Sequence, residues 1–533
     1  MKNTQKNAVA QPQTDEKKYT VANSLVSYYL VMMFGFFPLF LTNQYAHART
    51  DKFWLYTVLT LVLIISVGVC AVINLNEARR LNNEYHLIKP LTVTDIMMLC
   101  FWGFAVISTF CSEYMSSALT GFSARDNGLL LLTLYMLMYF ALTRHYQFKG
   151  YVVAVYLIIS SVVALLTVLN FFYIDPLGML SGYDKATIDD FGSTIGNKNI
   201  IAAFMCMSLP AAIMSFIVTK DKVMRIVSGV SIAFAYMGLI CADSTSDILG
   251  LIVILPVTAI FSARGFDYLR RFMLAMAILF ASGKLLQLFS AAVGDNNKGF
   301  EFMQKFLVYS PVMYVPMIVF GILYAVMYFV AKNREPRYPA KTVQTVFGVL
   351  FALGITAAIG LFIYFSFVDK KTDLGEFEKL LRFSDKWGTH RGFMWRVSLE
   401  EYGKFGFFGK LFGSGPDTAY YVLMPHFEEL LKRFGDKSTD CAHNELLNYL
   451  ITQGALGLIA YLGFMGSVIV RGIKAAKSNP FALAFVGAVI CYLAQSVVNL
   501  YNPIVTPLLF IFASLAEALC RNGEEQIELG VRS

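Results

Sequence analysis

Charged side chains are scarce in this 533-residue chain: only 15% of its residues are Asp, Glu, Lys or Arg, whereas 57% are hydrophobic. A soluble domain carries about 25% charged residues, so the composition excludes an ordinary soluble protein and indicates a polytopic membrane protein. Its apolar runs are long and continuous, unlike the roughly ten-residue alternating segments of an outer-membrane barrel. The sequence therefore predicts an all-α membrane protein.

Several signatures of other protein classes are also missing. The eight cysteines show no paired spacing, and Cys441 alone falls in the large polar loop, so no disulfide framework is predicted. The chain has no Walker A motif, which argues against ATP-driven transport. Residues 1–23 are polar and lack the short apolar core of a secretion signal, so no cleavable signal peptide is predicted.

About fourteen apolar segments are each close to the roughly 20 residues needed to cross the hydrocarbon core of a membrane. They lie at residues 24–42, 53–75, 93–111, 128–144, 150–172, 200–219, 226–242, 247–263, 272–293, 307–331, 343–367, 444–470, 481–500 and 503–520. The sequence therefore predicts a membrane domain over 24–367 with about 11 spans, and a C-terminal unit of about three spans over 443–520.

Lysine and arginine are concentrated in alternate connections between these segments. Because basic residues favour the cytoplasmic side of a membrane protein, this bias predicts cytoplasmic tails at 1–23 and 521–533. It also explains the net charge of +8, so no nucleic-acid partner is expected. The same topology places the polar loop 368–442 on the extracytoplasmic side of the membrane. Its aromatic content predicts a folded loop, and loops of this length usually carry function.

The long loop contains Arg391 and Trp395, one helical turn apart and therefore able to face the same way. The planar fork of an arginine matches the oxygens of a diphosphate, so Arg391 is a candidate ligand for such a group. A solvated arginine on a surface helix is the alternative interpretation, and spacing alone does not separate the two. A Gly-Ser-Gly-Pro turn follows at 413–416, which is a weak signal on its own.

The most informative motif is a His443-Asn444 pair nine residues before Gly454-x-x-Gly457, where the polar loop becomes a long apolar segment. An imidazole at that junction is exposed enough to water to titrate, and buried enough for its neighbours to shift its pKa. The two glycines permit close approach of a neighbouring helix, which would anchor the helix that presents His443. An interfacial histidine that only caps this helix is the alternative.

Further basic residues lie where an anion could bind. Asn199 is the predicted N-cap of a span and Lys198 lies beside it; helix N-termini favour phosphate-like anions, so both are candidate substrate ligands. An ordinary turn and cap is the alternative.

Arg125 is predicted on the outer side of the membrane, although basic residues are usually found on the cytoplasmic side, and this favours a functional role. A surface pair with Asp126 is the alternative. Lys284, deep within a predicted span, either snorkels or shows that the span is shorter.

Over about residues 389–515 the chain resembles the superfamily of O-antigen ligases and O-antigen polymerases, polytopic membrane glycosyltransferases that take glycans from polyprenyl diphosphate carriers. The matching motifs are Arg391-x-x-x-Trp395, Gly413-x-Gly415-Pro416, His443-Asn444 with Gly454-x-x-Gly457, and Gln495-Ser496-Val497-Val498-Asn499. Weaker matches are Gly196-Asn197-Lys198-Asn199 and Gly121-x-x-x-Arg125-x-x-Gly128. The chain departs from the family pattern at Ser246-Asp247, where Ser-Arg is usual, and at Lys198, where proline is common.

The resemblance implies a fold like that of C-type glycosyltransferases and an undecaprenyl diphosphate-linked glycan donor, with a glycan, lipid or protein as acceptor. It also implies inversion at the anomeric carbon, no metal, no cofactor, and a place in the bacterial cytoplasmic membrane. On this basis Arg391 and Arg125 hold the diphosphate, while His443 serves the acceptor. Asn444 is then expected to orient His443.

Two other functional classes stay open. A lipid-linked glycan flippase or other transporter commonly shows inverted repeats and charged residues at the membrane midplane; this chain shows no visible repeat and one midplane charge, Lys284. A structural scaffold for envelope assembly is the third reading, since Ser246-Asp247 lacks the arginine expected there. The large outside loop beside the His443 motif favours an outward-facing enzyme over both.

Overall fold

A computed structural model describes residues 13–81, 90–122, 125–294, 296–333, 337–435 and 440–528 of the chain. Helices form nearly all the regular structure of these residues, as the sequence predicts. They are α1 (Gln13–Val31), α2 (Ala48–Leu81), α3 (Val93–Phe110), α4 (Met115–Thr120), α5 (Leu129–His145), α6 (Gly150–Phe171), α7 (Lys185–Asp190), α8 (Lys198–Val218), α9 (Lys222–Ala242), α10 (Thr245–Ser262), α11 (Phe266–Val293), α12 (Phe302–Tyr309), α13 (Tyr314–Asn333), α14 (Ala340–Ile363), α15 (Glu378–Leu381), α16 (Trp387–Lys404), α17 (Phe407–Phe412), α18 (Ala419–Leu423), α19 (Phe427–Phe434), α20 (Glu445–Ala475), α21 (Ala482–Ser496) and α22 (Thr506–Glu528). A short antiparallel pair joins β1 (Phe191–Gly192) to β2 (Gly196–Asn197).

Ten helical segments in the described part of the chain are long and apolar enough to cross a membrane, and α5, α10 and α21 are shorter apolar helices. Together with α22 they coincide with all the apolar segments that the sequence predicts. The chain is therefore a multi-pass helical membrane protein. The predicted total of about fourteen crossings counts the three shorter helices and α22 as spans.

Burial decreases from the middle of the bundle to one edge. In α8, 94% of the apolar window is buried within the protein, and the helix packs against α6, α9, α10 and α21. In contrast, α13 and α14 have 0% of their windows buried and touch the bundle through α11 and α10. Helices that are apolar all round and uncovered by protein are those that face lipid, so α13 and α14 form a lipid-facing edge.

One end of the bundle holds a buried cluster of opposite charges, the Asp95 cluster. Asp95, in the first turn of α3, accepts hydrogen bonds from both terminal nitrogens of Arg144 at 2.9 Å and also pairs with Arg521 of α22. Glu517 of α22 pairs with Arg471 of α20 at 2.7 Å. Because removing one partner of a buried ion pair is strongly destabilising, these pairs hold α3, α5, α20 and α22 in one arrangement.

The helix that follows the long loop is not the continuous span that the sequence predicts. α20 is broken at Gly454, whose φ of 69° and ψ of −175° are non-helical. Tyr461 donates a hydrogen bond of 2.6 Å to Glu445, 16 residues earlier, although a straight helix would place their Cα atoms about 24 Å apart. The segment 445–453, α20a, therefore folds back beside the segment 455–475, α20b.

The long loop packs into this break. Ser414 donates its backbone N–H to the carbonyl of Ile451 at 3.0 Å, a group that the broken helix leaves free. A Cβ on Gly454 would lie 2.3 Å from the backbone of Leu411. The predicted close approach at Gly454 is thus confirmed, but its partner is α17 of the long loop rather than a neighbouring span. At Gly457 a Cβ would instead meet a side chain one turn earlier in the same helix.

Candidate active site

The turn before α20a is fixed by its own neighbours. Cys441 and Ala442 are fully buried, and Ala442 donates its N–H to the Asn448 side chain at 3.4 Å. His443 has a φ of 47°, a left-handed conformation that is uncommon for any residue except glycine. Asn444 caps α20a, because its Oδ1 accepts N–H groups of the first turn at 3.0 and 3.1 Å. His443 is therefore presented from an ordered backbone.

Because α20a folds back, this turn lies against the helix bundle. Glu445 is fully buried and accepts hydrogen bonds from Tyr461 at 2.6 Å and Tyr492 at 3.1 Å. His443, two residues before Glu445, is half-buried. The capping role that was the alternative for His443 belongs to Asn444. The histidine thus precedes a helix that is folded back on the bundle, rather than lying at the tip of a straight helix.

Arg125 contacts this turn directly. Its Nη2 donates to Asp440 Oδ2 at 2.7 Å and lies 2.9 Å from Cys441 Sγ. Burial raises the pKa of the Asp440 carboxyl, but the charges of Arg125 and His443 outweigh burial and hold that pKa below its usual value. Two residues that the sequence predicts in one site, Arg125 and His443, therefore meet at a carboxylate that sequence reasoning missed.

The turn that carries Arg125 is clamped from two sides. Its predicted alternative partner, Asp126, contacts Arg49 at 3.1 Å instead. On the other side, Asp417 Oδ2 accepts two backbone N–H groups of the same turn at 2.9 and 3.0 Å. Burial raises the pKa of the Asp417 carboxyl to about 7. Sequence reasoning noted the preceding Gly-Ser-Gly-Pro turn but missed Asp417; a carboxylate directly after such a turn was the usable signal.

Arg391 is buried, with 8% of its surface exposed, so the alternative of a solvated surface arginine is wrong. Arg391 comes directly after three residues, 388–390, whose backbone is left-handed. Its Nη1 donates to the Gly388 carbonyl at 3.0 Å, and its Nε is buried without a partner. Within the part of the chain that the structure describes, no carboxylate pairs with this guanidinium.

Arg391 interacts electrostatically with Cys441, the residue whose thiol Arg125 also contacts. Burial lowers the pKa of the Arg391 guanidinium, and interactions with Cys441 and Glu301 oppose that effect. Because charged groups are almost never fully buried unless they are paired, a buried guanidinium without a carboxylate is a site where an anion is stabilised. An anion held by Arg391 would therefore act electrostatically on the same turn that carries His443.

Lys198 and Asn199 lie at the start of α8 and have partners within the protein. The N-cap is Asn197, whose side chain accepts the N–H of Asn199 at 2.9 Å, so the predicted cap at Asn199 is wrong by two residues. Strand β2 ends at Asn197 and thereby sets the start of the helix. Lys198 pairs with Asp190 at 2.9 Å. The Asn199 side chain accepts a hydrogen bond from Ser244 at 2.7 Å.

Two charged residues that seemed unusual in the sequence also have structural partners. Asp247, where the family pattern has arginine, is buried and forms a capping box with Ser244 at the start of α10. Lys284 is 5% exposed and donates to the carbonyls of Val308 and Ser310 at 2.8 Å. Lys284 therefore caps the end of α12, and the alternative of a snorkelling lysine is wrong.

One group of potential metal ligands comes together among the described residues. A side-chain oxygen of Asp440, the thiol sulfur of Cys441 and a ring nitrogen of His443 lie within 4.8 Å of one another. The guanidinium of Arg125 donates to the first two of these side chains. A cation here would have to displace another cation, so the trio is better described as part of an arginine-centred site.

Comparison with known proteins does not assign a family. The chain matches no protein-family model, and no curated protein matches it. The resemblance to membrane glycosyltransferases therefore depends on the motifs and on the chemistry of the residues that the fold brings together.

Proposed function

We propose that the protein transfers a glycan from undecaprenyl diphosphate to an acceptor hydroxyl at the outer face of the bacterial cytoplasmic membrane, with both termini in the cytoplasm. The observation that carries this proposal is the buried guanidinium of Arg391, which has no carboxylate partner among the described residues. Burying such an unpaired cation costs free energy until an anion occupies the site. A diphosphate matches the geometry of an arginine fork.

The reaction follows from the charges around that anion. The bond between the anomeric carbon and the diphosphate oxygen breaks, and Arg391 stabilises the charge that develops on this oxygen. The acceptor oxygen forms the new bond from the opposite face, so the configuration inverts. His443 takes the proton of the acceptor hydroxyl. No general acid, metal or cofactor is required, because the diphosphate leaves as an anion paired with arginine.

The acceptor defines two versions of this activity. A ligase moves the glycan to a lipid or protein, whereas a polymerase moves it to another carrier-linked glycan. Both serve the assembly of cell-surface polysaccharide, and both use the same arginine and histidine chemistry.

Replacing His443 with alanine is expected to lower glycan transfer by about 100- to 10,000-fold, the usual contribution of a general base. The measurement uses purified protein and an undecaprenyl diphosphate-linked repeat unit, without nucleotide, and separates products by size. His426→Ala is the matched control, because His426 lies in the same long loop and pairs with Glu401 at 2.7 Å. Full activity in a well-folded His443→Ala variant would contradict the role of His443.

The products distinguish the versions of the activity. A ladder of lengthening glycans indicates a polymerase, and a single shift that requires an added lipid or protein indicates a ligase. If no native carrier yields a product, and the protein instead moves lipid-linked glycans across proteoliposomes, the alternative of a flippase replaces this proposal.

A further inference from the structure

We infer that Asp440 orients His443, and that Arg125 controls this interaction by holding the same carboxylate until a diphosphate arrives. The inference rests on the proposed function and adds a residue that the matching motifs do not contain. Asp440 is a positioning residue, because it acts on the acceptor through His443 and touches no reacting atom.

The resemblance implies that Asn444 orients His443, but the Asn444 side chain already caps α20a. Its Oδ1 accepts two N–H groups at the start of α20a, at 3.0 and 3.1 Å. A helix start whose N–H groups lose their acceptor is destabilised by about 1 kcal/mol. If Asn444 turned its oxygen toward His443, α20a would lose this cap. The orienting role therefore falls to another residue.

Asp440 is placed for that role. One of its carboxylate oxygens lies within 4.8 Å of a ring nitrogen of His443, and the His443 backbone between them and α20a is left-handed. Hydrogen bonds between catalytic groups are often long before substrate binds and shorten afterwards. A carboxylate beside a histidine base fixes the ring and stabilises its protonated form.

Two other carboxyl groups near this turn already have hydrogen-bond donors. The charged and titratable groups around the turn include Cys441, Arg391, Asp417, Glu445 and Tyr501. Glu445 already accepts from two tyrosines, and Asp417 already accepts from two backbone N–H groups. Asp440 shares its carboxylate with Arg125 at 2.7 Å and with the thiol of Cys441.

A diphosphate would change this sharing. It carries more negative charge than Asp440 and presents oxygens that suit the arginine fork, so Arg125 shifts part of its hydrogen bonding to the donor. Asp440 then interacts more strongly with the imidazole, because the competing cation is partly withdrawn. His443 becomes a stronger base when the donor is bound. This coupling protects against deprotonation of an acceptor before a donor is in place.

Asp440→Asn tests the inference, because the amide keeps the shape of the side chain and loses its charge. With an undecaprenyl diphosphate-linked repeat unit as donor, we expect kcat to fall about 10- to 100-fold, as when the partner of a metal-bound histidine is removed. Loss of the negative charge disfavours protonated imidazole, so the acidic limb of the pH–kcat profile is expected to move down by about 1 pH unit. The donor KM should stay level or fall, because Arg125 is freed.

Asp385→Asn is the matched control, because Asp385 pairs with Arg396 and Arg433 elsewhere in the long loop. Asp440→Glu retains the charge and should leave the acidic limb in place while restoring part of kcat. If the asparagine variant does not fold, Asp440→Ser removes the same charge with a smaller side chain.

A raised donor KM with an unmoved acidic limb would overturn the inference, since Asp440 would then serve only to hold Arg125. Wild-type kinetics in Asp440→Asn would overturn it as well. In both results the proposed function survives, because the wild-type protein still transfers glycan. A wild-type protein that transfers no glycan from this donor would overturn the proposed function and this inference together.

Discussion

Replacing Gly454 with alanine is expected to abolish glycan transfer and to destabilise the protein by about 2–6 kcal/mol. The φ of 69° and ψ of −175° at this position belong to a region that essentially only glycine adopts. An added Cβ would also lie 2.3 Å from the backbone of Leu411, which cannot move aside as a side chain could. Both effects oppose the hairpin of α20a and α20b.

The consequence for the site is larger than the consequence for stability. When α20 straightens, Glu445 loses its hydrogen bond to Tyr461, and the turn with His443 moves away from Arg125. Thermal unfolding in detergent measures the first effect, and the transfer assay measures the second. Gly466→Ala is the matched control, because Gly466 lies in α20b with no atom within 4 Å of an added Cβ.

A Gly454→Ala protein with the wild-type unfolding temperature and wild-type transfer would contradict this structure of α20. It would mean that the helix is continuous, as the apolar pattern alone suggests. The histidine would then lie at the tip of a span, and the contact between α17 and α20 would not determine where it is placed.

Arg391→Gln is expected to lower transfer at least about 100-fold, the effect of removing one donor to a developing charge. The same change should leave the unfolding temperature unchanged or raise it. The reason is that Arg391 is 8% exposed and bears a charge whose burial is uncompensated within the described part of the chain. Loss of activity without loss of stability separates a substrate ligand from a structural residue.

Arg396→Gln provides the control for this variant. Arg396 lies on the same helix, is 37% exposed, and pairs with Asp385, Glu400 and Glu429. Exposed pairs of this kind contribute about 0–1 kcal/mol, so transfer and stability should both stay near wild type. Arg391→Lys should give an intermediate activity, because lysine keeps the charge and loses the bidentate fork. If activity and stability fall together in Arg391→Gln, the anion site is wrong.

The helices could be predicted from the sequence because a membrane span is selected by a local property, the length of an apolar run. The break at Gly454 could not. A glycine inside an apolar segment is equally typical of close helix packing, and what bends this one is the approach of Leu411 and Ser414 from the long loop. The N-cap of α8 could not be predicted for the same reason. Asn197 and Asn199 are both good N-caps, and the strand that ends at Asn197 determines which of them starts the helix.

The site was predictable in part for a related reason. His443, Arg125 and Arg391 stand out through local patterns, and Arg125 and His443 prove to share one neighbour. Asp440 carries no such pattern, and Asp417 carries only its position directly after the Gly-Ser-Gly-Pro turn. Their meaning comes from partners far away in sequence: Asp440 lies 315 residues from Arg125, a pairing that only the fold reveals.

The Asp95 cluster bears on how the chain is built in the cell. Asp95 and Arg521 are 426 residues apart, so at about 5–20 residues per second the ribosome makes the second roughly 20–85 s after the first. During that interval Arg144 is the only arginine of the cluster beside Asp95, and Arg471 has no Glu517. The last helix delivers an arginine and a glutamate together. The last helix therefore adds no net charge to the cluster, but its insertion completes the pairing, because Asp95 gains Arg521 and Arg471 gains Glu517.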